Sequence, residues 1–132
     1  RILHTSTPYP ANYGLIPRTL ADDGDPLDVL VLCSEVIHPL SLVRCYPVGV
    51  IKMLDGGKMD EKIIAIPFND PTYCTYKDIS ELPGHIFSEM RHFFQVYKSL
   101  EGKETVVNEE EGPEEARRII QECRERYIQY FC

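Results

Sequence analysis

Asp22, Asp23, Asp25 and Asp28 place four carboxylates in seven residues, and Asp55, Asp60 and Glu61 form a second acidic group further on. Two like charges about 4 Å apart repel by about 1 kcal/mol in bulk water and by about 4 kcal/mol at an effective dielectric of about 20. Carboxylates crowded into one pocket therefore either raise their pKa values or bind cations. Most acidic runs are simply solvated turns, but this one leads straight into the apolar run Val29-Leu-Val-Leu32, so its acids stand at the mouth of a buried strand. Gly24 and Pro26 restrict the backbone between them and present the aspartates in a defined turn. Ligands made only of oxygen select hard cations: magnesium, calcium or manganese.

Other ion and phosphate sites fit badly. A calcium EF-hand loop starting at Asp23 needs glycine at its sixth position and glutamate at its twelfth, where this chain has Asp28 and Ser34. Gly57-Lys58 does not complete a P-loop, because Lys52 stands where the first glycine belongs and Met59 follows the lysine. His4, His38, His85 and His92 are scattered and form no zinc pattern.

The elements around these residues read as strands first and helices later, with the change near residue 78. Val29–Cys33 is a short buried strand, and residues 43–54 form a longer strand that Pro47 and Gly49 should bend. Residues 62–67 give another strand, and glycines mark a turn at Asp55–Asp60. Asp78-Ile-Ser-Glu81 has the form of a capping box ahead of a helix whose apolar face is Ile86, Phe87, Met90, Phe93, Phe94 and Tyr97. A last helix should begin at Pro113 and bury Ala116, Ile119, Ile120, Cys123 and Tyr127, leaving Arg117, Arg118, Arg124 and Arg126 mostly in water. Residues 101–112 are polar and read as a loop, with room for a short strand at 105–107. The sum is one mainly β domain with α (α+β) over residues 1–132, with short strands suited to a small barrel or sandwich.

Composition narrows the function. With 21 acidic and 14 basic residues the net charge is −7, which counts against a nucleic-acid partner. An anionic small molecule remains compatible if bound cations reverse the local field. No stretch reaches the roughly 18 apolar residues of a membrane helix. Five cysteines without a C-x-x-C pair read as free thiols in a reducing compartment, the cytoplasm. The chain opens on Arg1 rather than Met, which predicts that a segment precedes it and leaves organelle targeting open.

Together these motifs are collinear with a known family. Asp23-Gly-Asp-Pro-Leu-Asp-Val29 resembles the signature of the family I inorganic pyrophosphatases, in their bacterial and plant-like branch. The resemblance extends through Tyr9-Pro-Ala-Asn-Tyr13-Gly, Val48-Gly-Val, Asp55 to Asp60-Glu-Lys62, and His92-Phe-Phe-Gln-Val-Tyr97-Lys98. It implies a five-stranded OB-like β-barrel with external helices, here expected to lack its first strands. It also implies hydrolysis of pyrophosphate to two phosphates with several Mg2+ ions, for which Mn2+ is a possible substitute. On that resemblance Asp23, Asp28, Asp55 and Asp60 are the metal ligands, and Asp25 helps to deprotonate the attacking water. Tyr9 is the candidate proton donor, and Arg1, Tyr13, Lys62, Tyr97 and Lys98 hold the phosphates.

Two departures define the alternative. The family's N-terminal segment supplies a phosphate-binding lysine, a glutamate and early barrel strands, and Arg1 is the first site residue seen here. An open sheet edge would invite association with another chain, so a homo-oligomer is one expectation. The rival function is a non-catalytic or degenerate OB-like module that keeps affinity for cations and phosphate.

Overall fold

The computed structural model describes residues 11–55, 58–100 and 105–132, with side chains at 55, 58, 93–100 and 105–109 outside the description. Five strands form one mixed sheet: β1 (Ala11–Leu15), β2 (Asp28–Leu32), β3 (Cys45–Asp55), β4 (Lys58–Pro67) and β5 (Thr105–Glu111). Two helices accompany it, α1 (Gly84–Leu100) and α2 (Pro113–Phe131). The strand order is β1-β2-β4-β3-β5, and among the described residues the sheet is open rather than closed into a barrel. Only β2 and β4 run parallel; the other neighbours are antiparallel.

Alternation along the strands divides the core into two faces. On one, Leu30, Leu32, Ile51, Met53, Ile64 and Ile66 pack with Ile86 and Met90 of α1. On the other, Val29, Val31, Val50, Ile63 and Ala65 pack with Ala116, Ile119 and Cys123 of α2. Because β2 and β4 are covered on both sides, they read as continuous apolar runs, each such side chain contributing about 1.5–3 kcal/mol on burial.

The bend expected in the long strand is present as a register shift between Pro47 and Gly49. Proline has no N–H to donate, and β5 pairs with β3 only from Val50 onward, so at Pro47 only β4 is paired. Gly49 is required by space: a Cβ there would lie 2.7 Å from both the Glu111 carbonyl oxygen and the Ile79 Cβ.

Several expectations change. The capping box at Asp78 and Glu81 exists, but it closes a single 3-10 turn, Ile79–Glu81, and α1 begins after Pro83. Tyr13 lies on β1, which sequence periodicity had not marked as a strand. The polar segment before α2 carries β5 out to Glu111, so the division into strands and then helices near residue 78 fails. β5 forms because its backbone completes the free side of β3, a long-range pairing that local polarity does not reveal. α2 starts at Pro113 as expected, with Glu114 and Glu115 in its first turn. No described helix is long and apolar enough to cross a membrane. None of the five cysteines forms a disulfide.

Candidate active site

Lys62 organises the site. The parallel register sets Asp28 of β2 opposite Lys62 of β4, and alternation along β4 puts Asp60 on the same face. Tyr13 pairs with Leu30 on the neighbouring strand, two residues beyond Asp28 and therefore on that face too. The Lys62 Nζ stands 2.5 Å from Asp28 Oδ2 and 3.1 Å from Asp60 Oδ1, and it donates to the Tyr13 hydroxyl oxygen at 2.8 Å. Lys62 is only 3% exposed and Asp60 8%, whereas Tyr13 is 53% exposed, so the site opens toward solvent on the tyrosine side.

The charges in this group support one another. Burial opposes the Lys62 ammonium, but Tyr13, Asp60 and Asp28 outweigh it and hold its pKa above the usual lysine value. Burial also pushes the Tyr13 hydroxyl up to about 12, with Lys62 pulling it down and Asp28 adding to the rise. Tyr13 is therefore neutral near pH 7 and keeps a proton to donate, while the two carboxylates are the partners that neutralise Lys62.

The acidic loop between β1 and β2 is held by its own backbone. Ile16 N–H donates to the Leu27 carbonyl, Leu27 N–H to Thr19 Oγ1, and the Thr19 hydroxyl to the Ile16 carbonyl. Further out, Ala21 N–H donates to the Asp25 carbonyl and Gly24 N–H to the Ala21 carbonyl. Asp25 N–H donates to Asp23 Oδ1 at 3.0 Å, and Gly24 takes a φ of 87°, the left-handed conformation that glycine adopts without steric cost. Asp23 and Asp25 are thus displayed in solvent on a fixed turn.

The structure brings together Asp28, Asp60, Lys62 and Tyr13 of the residues singled out from sequence. Asp55 is the last residue of β3, and Tyr97 and Lys98 lie in the C-terminal half of α1, all three with side chains outside the description. Arg1 and Tyr9 lie outside the described residues. Asp23 is not grouped with Asp28 and Asp60: among the described residues no three His, Cys, Asp or Glu side chains are gathered into a metal-holding set. The place where Asp28 and Asp60 converge is taken by the Lys62 ammonium, which relieves the repulsion that a cation would otherwise offset.

Two acids of the sequence clusters leave the site. Asp22 pairs with Arg126 of α2, Oδ1 to Nη2 at 3.1 Å. Glu61 points to the α2 face opposite Lys52; burial pushes its carboxyl up and Lys52 counteracts this. Sequence reading missed Thr19, a buried side chain with no distinguishing motif around it. It also left Arg126 in water, although this side chain is 24% exposed and donates to the Leu20 carbonyl at 2.9 Å.

A mixed sheet flanked by two helices carries a buried lysine between two aspartates, charged groups of the kind that phosphate chemistry uses. The chain belongs to the inorganic pyrophosphatase family, whose sequence pattern matches residues 1–128. It is 46% identical over 131 residues to a soluble inorganic pyrophosphatase of Chlamydomonas reinhardtii, covering 99% of this chain and 68% of that protein. Against the Arabidopsis thaliana soluble inorganic pyrophosphatase 1 the identity is also 46%, covering 99% of this chain and 62% of that protein. The chain therefore spans about two thirds of the length of these relatives. The Helicobacter pylori inorganic pyrophosphatase superposes with a TM-score of 0.88 at 41% identity, covering 97% of this chain and 77% of that one. The Thermus thermophilus inorganic pyrophosphatase gives 0.88 at 36% identity, covering 97% of this chain and 75% of that one.

Proposed function

We propose that this chain hydrolyses inorganic pyrophosphate to two phosphates with magnesium as its metal, in a reducing compartment such as the cytoplasm. The observation that carries this reading is the Lys62 ammonium, buried between Asp28 and Asp60 and hydrogen-bonded to Tyr13, in a chain of the pyrophosphatase family. Among the described residues this lysine is flanked by two acids, and a divalent cation beside them would let a polyanion approach.

The donor set fits a hard divalent ion. All candidate ligands are aspartate oxygens, and Asp28 and Asp60 already approach a common cation, the lysine ammonium. Asp23, Asp28, Asp55 and Asp60 would hold magnesium, with manganese as a substitute; when bound, it would lower the pKa of a coordinated water and offset charge on the phosphates. Asp25, on its fixed turn, accepts a proton from the attacking water. Lys62 and Tyr13 donate to phosphate oxygens and draw charge from the leaving phosphate. Arg1, Tyr97 and Lys98 complete the grip on pyrophosphate, and Tyr9 supplies the proton to the leaving group.

The test is phosphate release from pyrophosphate, with and without magnesium, by the native chain and by Asp28→Asn. Removing one preorganised charged group is expected to lower kcat at least about 100-fold. Equal rates for the two proteins overturn the reading. A non-catalytic module that binds cations and phosphate has one observation in its favour, the lack of a three-carboxylate group among the described residues. Calorimetric binding of magnesium and pyrophosphate without turnover would select it.

A further inference from the structure

The C-terminal helix touches the acidic turn at three points. Leu20 N–H donates to the Cys123 carbonyl at 3.0 Å. Arg126 Nη1 donates to the Leu20 carbonyl at 2.9 Å, and its Nη2 stands 3.1 Å from Asp22 Oδ1 and 3.2 Å from Glu122 Oε1. One guanidinium therefore grips the residues on either side of Ala21. Ala21 in turn closes the turn that displays Asp23 and Asp25, accepting from Gly24 N–H and donating to the Asp25 carbonyl at 2.8 Å.

Electrostatics gives this grip a purpose. Asp22 and Glu122 both repel the half-buried Glu61 carboxylate, so the underside of the turn is a crowded acidic surface. Arg126 supplies the cation that lets Asp22 rest there. α2 itself is anchored by buried Ala116, Ile119 and Cys123, so its packing does not need the arginine.

We infer that Arg126 is a positioning residue, which fixes the turn carrying Asp23 and Asp25 against α2 so that these carboxylates meet their ligand in a set geometry. The kinetic part of this inference rests on the function proposed above; the structural part does not. The planar fork holds a carbonyl and a carboxylate on two separate nitrogens, a spread that the single nitrogen of a lysine reproduces only in part.

The experiment compares the native protein with Arg126→Met, which keeps an apolar stem, and Arg126→Lys. Amide hydrogen exchange is read without metal or substrate at Leu20, Ala21 and Gly24, with Ile119 as the control in α2. A hydrogen bond to a charged group contributes about 1.5–3 kcal/mol, so Arg126→Met should accelerate exchange at the three loop amides by about tenfold or more. The control amide should keep its rate, and Arg126→Lys should recover only part of the protection. Unchanged loop exchange, or equal acceleration at Ile119, overturns the inference. In phosphate release, the magnesium concentration for half-maximal rate should rise about tenfold while kcat at saturating metal stays within about twofold. Faster loop exchange without that rise in magnesium requirement leaves Arg126 a purely structural contact and also overturns the inference. Failure of the proposed function itself would show instead as an Asp28→Asn variant as active as the native protein.

Discussion

The two faces of the sheet each bracket a lysine with two carboxylates, yet only one joins the group to a half-exposed tyrosine. On the α1 face Lys62 lies between Asp28 and Asp60, 3% exposed, with the half-exposed Tyr13 as its third partner. On the α2 face Lys52 stands 2.6 Å from both Glu111 of β5 and Glu115 of α2. There the first turn of the helix closes over the ammonium, and Arg118 adds a second cation to Glu115 at Nη2–Oε2 3.0 Å. The helix N-terminus favours Glu115 as well. The Lys52 group holds β3, β5 and α2 together. On the α1 face the Lys62 group instead reaches solvent through Tyr13, while the turn that displays Asp23 and Asp25 packs against α2. The same motif ties three elements together on the α2 face and, on the α1 face, is the one proposed to meet the substrate.

Replacing each lysine separates the two roles, and Lys62→Met should have the largest effect. It leaves two carboxylates without their buried partner, at a cost of about 3 kcal/mol or more in urea unfolding. Phosphate release should fall at least about 100-fold. Lys52→Met should destabilise by about 1–2 kcal/mol and leave kcat within about threefold, since its partners face away from the site. A loss of activity for Lys52→Met as deep as for Lys62→Met would erase the distinction between the faces.

A smaller effect is expected at the open rim. Tyr13→Phe removes the hydroxyl that meets Lys62 and should lower kcat/KM by about tenfold, with unfolding shifted by less than about 1 kcal/mol. An unaltered kcat/KM would remove Tyr13 from the phosphate-binding set.

The smallest effect belongs to pH. Arg118 and Lys52 hold the Glu115 carboxyl down at about 2, below its ordinary 4.5. Because the folded state favours the ionised form, this contribution is complete above about 4.5 and is lost as pH falls toward about 2. Glu115→Gln should flatten stability measured by urea unfolding between pH 5 and pH 3, relative to the native slope. Parallel slopes for the two proteins would show that the cap on Lys52 adds nothing in acid.

The sequence was most informative where short-range chemistry and burial coincide. Val29-Leu-Val-Leu32 and Ile63-Ile-Ala-Ile66 read as strands and are strands, and Asp23 to Asp28 leads into the first of them as expected. Pro113 and the acids after it announced α2. The capping box misled because the same Asp-x-x-Glu spacing satisfies one 3-10 turn as well as the start of a helix. β1 went unmarked and β5 was seen only at 105–107, because each is stabilised by pairing with a distant strand.

By itself the sequence determined which acids, lysines and tyrosines are available, and that the chain belongs with pyrophosphatases. Tertiary structure decided which of them meet. The parallel register of β2 and β4 put Asp28 beside Lys62, and strand alternation put Asp60 on that face while turning Glu61 to the other. The return of α2 across the loop drew Asp22 away to Arg126, 104 residues on, and left Asp23 and Asp25 displayed. Charges a few residues apart repel wherever the chain takes them; only the fold determines which cation lies beside which acid.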